Sequence, residues 1–63
     1  MQTKLKEVRK AKNMNQEELA QKSGVARTVI SQLENGSRAV VKTSTMVKLA
    51  TALESKISDI FLL

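Results

Sequence analysis

Residues 15–36, NQEELAQKSGVARTVISQLENG, decide the fold, because they hold the start and stop signals of two consecutive short helices. Asn15 is a favourable N-cap, and Glu18 follows three residues later, where the acid of a capping box belongs. Gly24 and Gly36 each stand where a helix ends on a left-handed residue. The stretch therefore predicts one helix from residue 16 to about residue 23 and another over residues 27–35, joined by a tight turn.

Apolar residues at helical spacing on both sides of this pair extend the prediction to five helices. One amphipathic helix is expected from about Thr3 to Lys12. After a loop over residues 37–42, a fourth helix capped by Thr43 or Ser44 is expected, and a short last helix follows Ser55. The predicted core consists of Leu5, Val8, Met14, Leu19, Ile30, Leu33, Met46, Leu49, Leu53, Ile57, Ile60 and Phe61.

Length and composition narrow the class of protein. Sixty-three residues allow a single domain, residues 1–63, and the pattern makes it all-α. The chain has no Cys and no His, which removes disulfides, Cys nucleophiles and the usual general base at neutral pH. Its six carboxylates form no cluster suited to metal binding, so we expect no enzyme, no metal, no cofactor and no small-molecule ligand. No apolar run is long enough to span a membrane, and the chain is expected to be cytoplasmic.

The net charge of +5 is unevenly distributed along the chain. Residues 1–12 carry +4 and residues 37–48 carry +3, whereas residues 13–36 carry −1. A basic protein of this kind suits a polyanionic partner, and charge alone does not separate nucleic acid from an anionic membrane surface. A membrane-surface peptide needs one long helix with segregated faces, and this chain is interrupted at Gly24 and Gly36.

The central motif resembles the Cro/repressor-type (Xre-like) helix-turn-helix family of phage and bacterial transcriptional regulators. The matching residues are NQEELA at 15–20, Gly24-Val25 and ISQLENG at 30–36, and LATAL at 49–53 with ISDIF at 57–61 extend the likeness to the fourth and fifth helices. The resemblance implies a compact five-helix, lambda-repressor-like domain that binds double-stranded DNA. The sequence departs from the family at Ala26, where Ser or Thr is usual, near Val41, where Pro is usual, and near Glu54, where Gly is usual.

The second helix of the motif carries a polar face that suits the reading of base edges. Ile30 and Leu33 define its buried side at about 100° per residue. The opposite side and its flanks consist of Arg27, Thr28, Val29, Ser31, Gln32 and Asn35. Neutral hydrogen-bonding side chains carry directional information that fixed charges lack. On most helices a polar face of this kind is simply solvated. On the second helix of a helix-turn-helix, the same face is predicted to contact bases.

Arg27, Thr28, Val29, Ser31 and Gln32 are therefore the predicted base-reading residues. Arg27 suits guanine O6 and N7, and Gln32 suits adenine N6 and N7. A thymine methyl group would contact Thr28 or Val29.

Contacts with the DNA backbone are predicted for Asn15, Gln16, Asn35, Arg38 and Lys42. Asn15 and Gln16 stand at a helix N-terminus, whose N–H groups attract phosphate. The alternative is capping alone for Asn15 and plain solvation for the others. The resemblance also implies a structural ion pair between Arg9 and Glu34, rather than a DNA contact by Arg9.

Val40, Val41, Leu62 and Leu63 fit the predicted core less well, and we expect them to contact a second copy of the chain. The alternative is a C-terminus that packs on its own domain. One recognition helix reads few base pairs, so a homodimer on a pseudo-palindromic operator is expected, acting as a repressor. Two other interpretations stay open: an antitoxin or restriction–modification controller of the same fold, and a protein-interaction module that has lost DNA binding.

Overall fold

The computed structural model describes residues 3–37 and 40–61, and this part of the chain contains five α-helices. They are α1 (Leu5–Ala11), α2 (Gln16–Ser23), α3 (Arg27–Asn35), α4 (Thr43–Ala52) and α5 (Ile57–Ile60). Within the same residues, the β-type pairing is limited to one isolated bridge between Thr3 and Phe61. The all-α, five-helix prediction is confirmed.

Local signals fix both ends of α2. The side chain of Asn15 accepts a hydrogen bond from the Glu18 N–H at 2.7 Å, and the Glu18 carboxylate accepts one from the Asn15 N–H at 3.1 Å. This is the predicted capping box. The helix ends at Gly24, whose φ of +75° is costly for residues with a Cβ. Its N–H donates to the carbonyl of Ala20 at 2.9 Å.

The bounds of α3 also agree with the prediction. The helix begins at Arg27 after Ala26, whose methyl side chain offers the first turn no hydrogen bond. It ends at Asn35, and Gly36 follows at φ +78°. Because only two residues, Val25 and Ala26, separate Gly24 from α3, the turn between the two helices is tight.

The predicted start of α4 is wrong by one or two residues. Lys42, rather than Thr43 or Ser44, is the N-cap: its backbone is extended, and its carbonyl accepts the first helical hydrogen bond from Met46 at 3.1 Å. Thr43 and Ser44 therefore lie in the first turn of α4. A lysine side chain has no acceptor, so α4 begins without a side-chain cap.

The core lies between the five helices, with α2 packed on α3 and α4, and α5 packed on α4 and α1. Nine predicted core residues are buried, and the other three, Val8, Met14 and Ile57, are partly buried at its edge. Val25, Ala50 and Ala52 are also buried. Backbone contacts bring the two ends of the described chain together, because the Lys4 N–H donates to the carbonyl of Ile60 at 2.7 Å. No helix in the described ranges is long and apolar enough to cross a membrane.

Candidate nucleic-acid interface

The outward face of α3 gathers four of the predicted base-reading residues. Ile30 and Leu33 are buried on the inner side of the helix, so the residues opposite them face away from the core. Arg27, Thr28, Ser31 and Gln32 line one shallow depression together with Gln16 from the start of α2. The contact between α2 and α3 therefore brings Gln16 to the surface that the sequence assigned to base reading.

Val29 lies on a different side of α3 and is not part of this depression. It is half-buried, packs against the core, and lines a cleft between the α2–α3 turn and the start of α4. Val41, Lys42 and Lys48 line the same cleft. Lys48 was not among the predicted contacts, although the excess of basic residues over 37–48 was a signal that could have identified it.

The residues predicted to contact the DNA backbone are distributed around α3. Lys42 is exposed at the N-cap of α4, beside the first half of α3. Asn35 is exposed at the end of α3, and its side-chain oxygen accepts from the Ser37 N–H at 2.9 Å. Asn15 is exposed and caps α2. Arg38 lies outside the described residues.

Arg9 and Glu34 form an ion pair that joins α1 to α3. The Nε of Arg9 donates to Oε2 of Glu34 at 2.6 Å, and Nη2 donates to Oε1 at 3.0 Å. Nη1 donates to the carbonyl of Met14 at 2.7 Å. The two side chains are only 9% and 4% exposed, so this pair is removed from water and is geometrically well defined.

The Glu34 carboxylate also holds Gln16, because Nε2 of Gln16 donates to Oε1 of Glu34 at 3.1 Å. Burial acts to raise the pKa of Glu34, but the hydrogen bonds from Arg9 and Gln16 and the positive charge of Arg9 outweigh it. The pKa therefore lies below its ordinary value, and Glu34 is ionised at neutral pH. Gln16 is thus bonded to a buried side chain and also lines the outer depression, a link that no local sequence pattern indicates.

The predicted apolar dimer patch is only partly seen. Val40 is 76% exposed, whereas Val41 is half-buried and packs against the core. The expectation that Val40 and Val41 both lie outside the core is therefore wrong for Val41, because its side chain packs against the core beside α4. Val47, on α4, is 47% exposed and was not predicted. Leu62 and Leu63 lie outside the described residues.

Comparisons with known proteins agree with this arrangement. The helix-turn-helix family model matches residues 5–60. An uncharacterized HTH-type transcriptional regulator of Archaeoglobus fulgidus is 42% identical over 98% of this chain and 86% of its own length. The uncharacterized HTH-type transcriptional regulator RghRB of Bacillus subtilis is 40% identical over 79% of this chain, and the match spans only 36% of that relative.

The fold is also that of a solved protein. The crystal structure of the restriction–modification controller protein C.AhdI from Aeromonas hydrophila matches with a TM-score of 0.84 and 40% identity, over 92% of this chain and 86% of that one. The family match covers nearly all of the helical part of the chain, including both helices of the motif. The chain belongs to the Xre-like helix-turn-helix family of DNA-binding transcriptional regulators.

Proposed function

We propose that this regulator is a repressor that binds a pseudo-palindromic operator as a homodimer, with α3 of each copy in the major groove. The observation that carries the proposal is the depression on the outer face of α3, where Gln16, Arg27, Thr28, Ser31 and Gln32 meet. All five are polar, and they stand on two helices rather than on a loop. This arrangement suits the reading of base edges, which requires hydrogen-bonding groups in fixed positions.

Each reading residue has a distinct chemical task. The guanidinium of Arg27 donates two parallel hydrogen bonds to guanine O6 and N7, and the amide of Gln32 pairs with adenine N6 and N7. Thr28 offers a methyl group to thymine, and the hydroxyl of Ser31 accepts or donates to either type of base edge. Val29 remains a candidate only for a thymine methyl group at the margin, because it faces the neighbouring cleft.

Basic and polar groups beside α3 hold the DNA backbone in this proposal. Lys42 and Lys48 border the cleft next to the first half of α3. Asn15 stands at the start of α2 and Asn35 at the end of α3. Arg38, which lies outside the described residues, is proposed to contribute a further backbone contact. These groups fix the register of the protein on the duplex and carry no sequence information.

The size of the molecule supports a dimer. Its longest Cα dimension is 25 Å, whereas successive half-sites on one face of the duplex lie about 34–36 Å apart. One chain therefore cannot place a recognition helix in two successive grooves, and two copies can. Val40, Leu62 and Leu63 remain the proposed dimer contacts. A dimer across two grooves represses by excluding polymerase from an overlapping promoter.

A second candidate function is control of a restriction–modification system, favoured by the likeness to C.AhdI. It uses the same DNA-reading surface, so binding to DNA does not separate it from a phage-type repressor. The genomic neighbourhood separates the two functions. A restriction endonuclease gene beside this one, with the selected site upstream of either gene, would establish the controller function.

Selection of binding sites from random duplex DNA tests the main proposal. Wild-type protein should enrich a palindrome, and Gln32→Ala should lose base preference at one symmetric pair of positions. Gln21→Ala, an exposed change of the same type on α2, is the matched control and should leave the enriched site unchanged. No enrichment, with weak and salt-sensitive binding to every duplex, would contradict the proposal and favour a protein partner.

The salt dependence of binding to the enriched site measures how many phosphates the protein contacts. With about six phosphate contacts, log Kd should change with log salt concentration with a slope of magnitude about 5.

A further inference from the structure

The end of α3 carries a side-chain amide that is set to react with its own backbone. Asn35, Gly36 and Ser37 are all exposed, so water reaches each of them. When a glycine follows an asparagine, the glycine nitrogen can attack the side-chain Cγ, because glycine has no Cβ to block the approach. Asn13 and Asn15, the other two asparagines of the chain, precede larger residues.

The reaction balances with water as its co-reactant. Hydroxide removes the proton of the Gly36 nitrogen, which then forms a bond to Cγ of Asn35. The side-chain nitrogen takes a proton from water and leaves as ammonia, so hydroxide is regenerated and a cyclic imide remains. Water opens this imide at either carbonyl, which gives aspartate or isoaspartate. Both products carry a carboxylate where Asn35 carried a neutral amide.

The structure holds the Asn35 amide in an arrangement that favours this attack. Its Oδ1 accepts a hydrogen bond from the Ser37 N–H at 2.9 Å, so the side chain spans the Gly36 peptide. Negative charge develops on this same oxygen when the nitrogen attacks Cγ. A donor that already points at the oxygen lowers the barrier, as the donors of an oxyanion hole do.

One hydrogen bond restrains the attacking nitrogen. The Gly36 N–H donates to the carbonyl of Gln32, and it must leave that carbonyl before it attacks Cγ. Gly36 is the C-cap of α3, and helix ends open at a far lower free energy than the whole fold. The contact between Asn35 and Ser37 spans two residues and does not require the helix end to stay closed. Opening of this end alone therefore releases the nitrogen.

We propose that Asn35 is a self-modification site, at which deamidation by this route weakens the binding of DNA. The effect on DNA rests on the proposed function, in which Asn35 contacts the DNA backbone, whereas the reaction itself does not. Each modified chain loses one unit of its net charge of +5, and the new carboxylate stands directly after that of Glu34. A carboxylate repels the phosphates that a neutral amide binds. The affinity of the regulator for its operator therefore declines with the age of the molecule.

Peptide mapping by mass spectrometry tests the reaction. The folded chain is incubated in neutral and in mildly alkaline buffer, and samples are digested over time. The peptide that holds Asn35 should acquire the mass of the acid at a rate proportional to hydroxide, while Asn13 and Asn15 stay amides far longer. Isoaspartate should be among the products, since direct hydrolysis of the amide does not form it.

Asn35→Gln is the matched control for the reaction. It keeps a neutral amide at the same position but must close a larger and less favourable ring, so its peptide should stay unmodified. The wild-type chain unfolded in guanidinium chloride gives the rate without the helix. Modification of Asn35 in the unfolded chain and not in the folded one would overturn the inference, because the end of α3 would then stay closed.

Binding to a duplex that carries the enriched palindrome tests the consequence. Asn35→Asp reproduces one product and should bind at least about fivefold more weakly than wild type, since a unit charge close to a phosphate costs that much even in water. Aged wild-type protein, separated from fresh protein by ion exchange, should show the same loss. Gln21→Glu makes the same change from amide to acid at an exposed position on α2 and should weaken binding less.

Two results of the binding experiment are distinguishable from a failure of the reaction. Equal weakening by Asn35→Asp and Gln21→Glu would assign the effect to net charge and contradict a specific role for Asn35. If wild-type protein enriches no site, the proposed function fails and the effect on DNA fails with it. The mass spectra then still decide whether Asn35 is modified.

Discussion

At the scale of single residues, Arg9 and Glu34 carry the largest predicted effect on stability. Replacing either one by Ala should lower the free energy of unfolding by about 3–5 kcal/mol, since the remaining charge is left buried without its partner. Arg9→Met with Glu34→Leu should cost much less than either single replacement, because it leaves no buried charge without a partner. Urea denaturation measures both quantities. Single replacements that cost under about 1 kcal/mol would contradict this account, since that is the value of an exposed pair.

The same carboxylate predicts how stability depends on pH. The pKa of Glu34 is lower in the folded chain than its ordinary value, because the bonds from Arg9 and Gln16 and the Arg9 charge outweigh the effect of burial. Its contribution is therefore complete above the unfolded pKa of about 4.3 and is lost as the pH falls through the lower folded value. Urea denaturation between pH 7 and 3, at intervals of about half a unit, should show this loss below about pH 4.5.

Glu34→Gln should remove part of that loss, so its stability should depend less on pH over the acid range. Glu17→Gln, which changes an exposed acid on α2 by the same chemistry, should keep the acid sensitivity of wild type. Equal acid sensitivity in Glu34→Gln and wild type would show that other carboxylates account for it.

Backbone strain is found at Glu54, whose φ is +51° at the end of α4. A left-handed residue with a Cβ costs about 1–2 kcal/mol, and glycine avoids this cost but loses more conformational entropy on folding. Glu54→Gly should therefore raise the free energy of unfolding by about 0.5–1 kcal/mol. Glu54→Ala is the control, because it removes the carboxylate and keeps the strain, and it should give no gain in thermal denaturation. An equal gain in both variants would assign the effect to charge.

At the scale of helices, α3 begins without a side-chain cap at Ala26. The backbone of Ala26 is extended, with ψ 139°, so a serine side chain at this position can reach the free N–H groups of the first turn. Ala26→Ser should stabilise the protein by about 1 kcal/mol. Ala11→Ser, at the last residue of α1, should not stabilise it, since no free N–H groups lie there. A gain that is equal at both positions would contradict the capping argument.

The ends of α2 and α3 could be predicted from sequence because each depends on a few neighbouring residues. A capping box needs only Asn15 and Glu18, and a left-handed stop needs only a glycine. The start of α4 was harder, because Thr43 and Ser44 are both good caps in isolation. In the structure α4 begins at Thr43, with Lys42 as the N-cap.

Contacts between helices were harder to predict from the sequence than the ends of single helices. Periodicity gives the direction of a side chain around its own helix, but not the neighbour that it meets. Periodicity therefore indicated which residues of α3 face away from the core. It did not indicate that Val29 lines a different depression from Thr28 and Ser31, because that depends on the position of α4. The bond between Gln16 and Glu34 depends on how α2 crosses α3, which no local pattern specifies.

At the scale of the whole molecule, the contacts that hold the buried face of α3 also set the position of its outward face. Ile30 and Leu33 anchor the helix in the core, while Glu34 ties it to α1 through Arg9. A domain of 63 residues has a small stability margin, so the same few contacts hold the fold and fix the position of α3. Because one copy is only 25 Å long, the proposed two-groove operator requires a second copy.

The central claim is that the outward face of α3 meets the bases. Titration of ¹⁵N-labelled protein with the enriched duplex tests it most directly, because amide chemical shifts report each residue separately. The largest changes should fall on residues 27–32 and on Asn15 and Gln16, with small changes in α5. Large changes confined to α1 and α5, with α3 unaffected, would contradict the account and place the DNA on another face of the molecule.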